Sequence, residues 1–104
     1  MNNKLKELEI EKWIVHRKIV QTYIKIMKLN DINMNTFCNI PTDCDLESSE
    51  VQNRLMAINQ RRKCLRKLHR RRRGYIKQEK KIKSEMENLE KIINNELEIN
   101  DILF

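Results

Sequence analysis

The chain of 104 residues contains one glycine, one proline and 5% aromatic residues. So few turn formers argue against a turn-rich β sandwich or barrel, and no glycine-rich loop exists to hold a phosphate or dinucleotide. The longest unbroken apolar run is Leu55-Met56-Ala57-Ile58, against the roughly 20 residues a membrane-spanning helix needs. A membrane partner is therefore not expected. Glu7, Glu9 and Glu11 within the first dozen residues spoil both a secretory signal and an acid-poor presequence, and three cysteines, an odd number, do not form a secreted-type disulfide framework. An intracellular, reducing compartment fits these features.

Catalytic and metal chemistry also lack material. Histidine occurs only at His16 and His69, and a nucleophile needs a base in reach and an orienting group. No catalytic residue is assigned, and neither a cofactor nor a small-molecule substrate is expected. A metal would have to draw on Cys38, Cys44, Cys64, His69 and His16, whose spacings are not those of common zinc modules. The thiols read better as small half-buried side chains.

What remains is helix and charge. Leu, Ile, Val and Phe make up 29 of the 104 residues, above the roughly 20% below which highly charged chains stay disordered. In the first 29 residues, Leu5, Leu8, Val15, Ile19, Tyr23 and Ile26 form one apolar row, and Ile10, Trp13, Ile14, Val20, Ile24 and Met27 a second. Spacings of three, four and seven predict a first helix over 3–29 with a wide apolar stripe. Trp13, Val20 and Ile26 among Lys12, Arg17, Lys18 and Lys25 would also suit a groove or membrane surface, but a buried hairpin stripe is the commoner use of such a pattern.

Residues 30–47, with clustered Asn, Asp and Thr and the single proline, read as an acidic loop. Thr42 with Asp45 has the outline of a capping box, and Ser48 and Ser49 compete as N-caps. A long helix is then predicted over 48–98, about 75 Å at 1.5 Å per residue. Leu68, Tyr75, Ile82 and Leu89 are spaced by sevens, and Leu65, Arg72, Glu79, Met86 and Ile93 keep the same phase straight across Gly74. The fold expected is all-α: one helical domain over 1–104, a hairpin whose long second helix has coiled-coil character. The alternative is a three-helix bundle broken at Gly74. Arg72 and Glu79, polar and opposite in sign, either sit in the seam and fix its register, or mark a stretch where the seam lapses between Leu68 and Ile82.

The net charge of +7 is unevenly placed. Residues 1–29 carry +4, 30–52 carry −5, 53–81 carry +12 and 82–104 carry −4. Within the basic segment, Arg61, Arg62, Lys63, Arg66, Lys67, Arg70, Arg71, Arg72 and Arg73 put nine bases in thirteen residues, and eight of the nine arginines lie between Arg54 and Arg73. On a helix, Arg62, Arg66, Arg70 and Arg73 fall in one stripe while Leu65 and Leu68 face away. Crowding like charge at i,i+4 is unfavourable, and arginine's planar fork suits bidentate phosphate contact. The expected partner is RNA or DNA, held through its backbone because only Tyr75 stands near for stacking. Leu65, Leu68, Tyr75, Ile82, Met86, Leu89, Ile93 and Leu97, with the terminal Ile102-Leu103-Phe104, form a seam expected to need a protein partner or second copy.

A basic run leading into heptads has the outline of a leucine-zipper factor. The run Asn59-Gln-Arg-Arg-Lys-Cys-Leu-Arg66 lacks that family's small groove-facing residues, and no membership follows. The functional expectation is a small non-enzymatic accessory or architectural subunit, nuclear in location, that binds nucleic acid through the Arg block and protein through the seam. The competing expectation is a scaffold subunit of a nuclear or viral complex whose basic block serves import or docks an acidic surface.

Overall fold

A computed structural model describes residues 2–43 and 45–103, with side chains described for 3–43 and 45–98. It is an all-α helical hairpin with a long second helix. Helix α1 spans Asn2–Cys38 and helix α2 spans Ser49–Leu103. Cys44 and the side chains of Ile102, Leu103 and Phe104 lie outside the described residues.

Both helices bury the side chains that heptad geometry selects. In α1 the covered positions are Leu5, Leu8, Lys12, Val15, Ile19, Thr22, Ile26, Leu29, Asn33 and Thr36, alternating steps of three and four. In α2 the same alternation runs through Val51, Arg54, Ile58, Arg61, Leu65, Leu68, Arg72, Tyr75, Glu79, Ile82, Met86, Leu89 and Ile93. This is the 3.5-residue period of a coiled coil, and its phase is the one expected for α2. Arg72 and Glu79 occupy seam positions, so the seam does not lapse there.

Two compact units make up the chain. One joins residues 1–19 with 74–104, the other comprises 20–73. In the first, Leu8, Val15 and Ile82 form a buried cluster against which Ile19, Tyr75, Met86 and Leu89 pack. In the second, Ile26, Val51, Ile58 and Leu65 are buried, with Thr22 beside them. Of the α2 seam expected to meet another chain, Leu65 and Ile82 are buried within this chain, and Tyr75, Met86 and Leu89 are partly buried on its own core.

Helix α1 runs nine residues past the expected end, to Cys38. Asn30, Asp31, Asn33 and Asn35 are weak helix formers, but Asn33 and Thr36 continue the seam and each accepts a hydrogen bond from Arg61 Nη1, at 3.4 and 3.0 Å. Thr36 Oγ1 also donates to the Ile32 carbonyl at 2.8 Å. Tertiary contact overrides propensity here. Pro41 then excludes helix from the residue before it, and the Asn39 carbonyl, left over at the helix end, accepts from Arg54 Nη1 at 2.7 Å. The acidic loop is thus 39–48 instead of 30–47.

Ser48 caps α2, its hydroxyl accepting the Val51 amide at 3.3 Å. Asp45 takes the Glu47 amide at 3.0 Å in an Asx turn before the cap, so the Thr42 to Asp45 pair does not start the helix. The three-helix alternative is also corrected, since α2 continues through Gly74. Gly74 has no positive φ, and a Cβ added there meets nothing within 4 Å beyond its chain neighbours and the adjoining backbone of its own helix.

Gly74→Ala is accordingly expected to stabilise the protein by about 1 kcal/mol, the helix-interior difference between the two residues. For a chain of this size that raises the melting temperature by about 5 °C, followed by circular dichroism. An unchanged or lower melting temperature would show that position 74 needs the freedom of glycine.

Candidate nucleic-acid interface

The basic block lies wholly within the 20–73 unit. That unit holds twelve Lys and Arg against five Asp and Glu, while the other holds ten of each, so all of the +7 resides in 20–73. Helical periodicity sorts the block. Arg62, Lys63, Arg66, Lys67, Arg70, Arg71 and Arg73 are exposed, whereas Arg61 and Arg72 occupy seam positions and turn inward. Arg61 is engaged by Asn33 and Thr36. The Arg72 guanidinium carbon stands 5.4 Å from the centroid of the Tyr23 ring, where the ring's negative face attracts a cation, and its Nε is buried without a hydrogen bond.

The exposed Arg66, His69, Arg70 and Arg73 line one open cavity of about 510 Å³, to which the inward-turned Arg72 also contributes. Among the described residues the ion pairs are Arg54–Glu50 at 2.9 Å, His16–Glu79 at 3.0 Å and Lys83–Glu79 at 3.2 Å, and none involves Arg61–Arg73. The five acids of this unit therefore leave the block without a carboxylate partner. Between Arg62 and Arg73 the helix rises about 16 Å, which faces roughly five phosphates of one strand at 3.4 Å each.

The remaining predicted positions scatter. Leu68 and Ile93 are half-buried and Leu97 is 57% exposed. Tyr75, the one aromatic near the block and a seam position, is packed on the core with the Lys18 ammonium 5.7 Å from its ring centroid. The second apolar row of α1 is not buried: Ile10, Trp13, Ile14, Val20, Ile24 and Met27 are all exposed, as is Tyr23. Cys38 and Cys64 are exposed, not half-buried, and no group of three His, Cys, Asp or Glu able to hold a metal occurs among the described residues. Nor, among them, is any helix long and apolar enough to cross a membrane.

A polar contact in the 1–19/74–104 unit escaped the sequence reading. His16 Nδ1 meets Glu79 Oε2 at 3.0 Å, and Lys83 Nζ meets Glu79 Oε1 at 3.2 Å. Trp13 stands edge-on to the His16 imidazole, with centroids 6.1 Å apart. Glu79 sits one helical turn before Lys83, and a carboxylate at a seam position calls for a partner across it. That was the available signal. Burial raises the Glu79 pKa, but the hydrogen bonds from His16 and Lys83 outweigh it, so the net shift is downward.

A carboxyl held below its unfolded value, about 4.3 for glutamate, stabilises the fold above that pH and loses the contribution as pH falls through the folded value. Wild-type protein is therefore expected to lose melting temperature on acidification below about pH 4.3 more steeply than Glu79→Gln. Parallel melting curves of the two proteins down to about pH 2.5 would contradict the contact.

Comparison with known protein families, with curated proteins and with solved structures finds no match.

Proposed function

We propose that the protein is a small non-enzymatic subunit that binds nucleic acid through the sugar–phosphate backbone, using the exposed face of the Arg block. The observation that carries the reading is that the exposed Arg66, His69, Arg70 and Arg73 line one cavity while, among the described residues, no ion pair engages Arg61–Arg73. Holding so many like charges on one helix face is unfavourable in isolation, and a polyphosphate relieves it by releasing counterions. Arginine in place of lysine favours forked, bidentate contact with phosphate oxygens.

Readout of base sequence plays little part in this reading. Tyr75 is occupied in the core and Tyr23 lies under Arg72, which removes the aromatic surfaces nearest the block on which unpaired bases stack. Contacts to phosphate position a protein without specifying sequence. A nuclear location goes with this reading, because a dense Lys/Arg run is also what import receptors read.

A salt titration tests it. Binding of the full chain to duplex RNA and duplex DNA is expected to weaken with salt at a slope of about −0.9 per phosphate contacted. Arg66, Arg70 and Arg73 changed together to Ala should shallow that slope by about 0.9 for each contact removed, with helix content unchanged. Absence of binding to either duplex at about 50 mM salt, or a variant slope equal to the wild type, would overturn the reading.

A further inference from the structure

Within the 20–73 unit, α1 carries a second heptad row. Val20, Tyr23, Met27, Asn30, Met34 and Phe37 alternate steps of three and four, the same alternation as the seam, and all six are exposed. Five of the six are apolar, and Met34 and Phe37 are 64% and 63% exposed. Single exposed apolar side chains need no explanation, but five at helical spacing, interrupted only by Asn30, mark an interaction surface.

That row borders a groove. Met34 and Phe37 on α1 face Ile58, Arg62 and Leu65 on α2 across a cavity of about 520 Å³. Ile58 and Leu65 are buried and form its apolar floor. Arg62 stands on the α2 rim, and helical spacing continues that rim through Arg66, His69 and Arg73, all exposed. The two walls thus differ in chemistry: an apolar row on α1 and a basic row on α2.

We infer that this groove receives an amphipathic helix of a partner protein, with an apolar ridge seated on Ile58 and Leu65 between Met34 and Phe37, and with carboxylates along the flank that meets Arg62. The three-and-four spacing of the α1 row fits the knobs of a third helix. Charge selects what kind of helix. The unit bears twelve bases against five acids, so a basic helix is repelled, and so is a second copy bringing the same unit. An acidic flank is attracted, and the attraction extends over about a Debye length, 10 Å at 0.1 M salt. The inference stands apart from the nucleic-acid reading, because its anchoring residues on α1 are not bases.

The test uses the full chain and two synthetic three-heptad helical peptides, alike in their leucine seam and differing in Glu or Lys at the flanking positions. The Glu peptide is expected to bind, and the Lys peptide at least about tenfold more weakly. Met34→Glu and Phe37→Ala change side chains that are mostly exposed, so each should keep its helix content and its affinity for duplex RNA while weakening the Glu peptide by about tenfold or more. The inference is overturned if the Glu peptide fails to bind, if both peptides bind alike, or if the variants bind as wild type does. It is equally overturned if the wild-type chain forms a dimer that Met34→Glu dissociates, since the groove's occupant is then a second copy. Loss of RNA binding with peptide binding intact would remove the nucleic-acid reading and leave this one standing.

Discussion

The alternation of three and four residues between covered positions is the constraint on which the rest of this protein depends. With one glycine and one proline to make turns, the chain has little besides helix available, and long helices in water are held chiefly by what they bury. Here each helix buries one narrow stripe against the other. Because the stripe is narrow, most side chains are left outside it, and what the chain presents to partners is decided by which residues fall out of phase with the seam.

The same constraint explains how arginine is divided. Arg61 and Arg72 share the block with Arg62, Arg66, Arg70 and Arg73, yet phase alone turns the first two inward. Each inward cation finds a polar or aromatic surface: Asn33 and Thr36 for Arg61, the Tyr23 ring for Arg72. Glu79 is treated likewise by His16 and Lys83. Polar residues at seam positions lower stability relative to apolar ones but favour one register over its neighbours. Within the 20–73 unit a one-heptad slip would separate Arg61 from Thr36, and within the 1–19/74–104 unit it would separate Glu79 from His16, so in each unit a polar contact selects the pairing while the apolar positions supply its strength.

Much of this was legible in the residues. The phase of α2 from Leu65 to Ile93 could be read from spacing, including its passage through Gly74, because a lone glycine costs a helix little and no new N-cap stands nearby. Ser48 was a recognisable cap. Three features were hidden. Helix α1 carries two apolar rows, and periodicity cannot say which side chains of a wide stripe face inward: Tyr23 shares a row with Leu8 and Val15 yet lies outside. The Asn-rich stretch after Leu29 has loop composition, and only its contacts with Arg61 make it helix. The third follows from the second: an α1 that ends at residue 29 leaves part of the α2 seam with no chain opposite it, whereas an α1 that reaches Cys38 covers more of it.

The claim that this chain covers its own seam is tested most directly by sedimentation equilibrium and circular dichroism over a wide range of protein concentrations. A seam closed within one chain predicts a species of 12.7 kDa whose helix content stays high and constant on dilution. Helicity that rises and falls with self-association would contradict it, because Leu65 and Ile82 would then be finding their cover in another molecule.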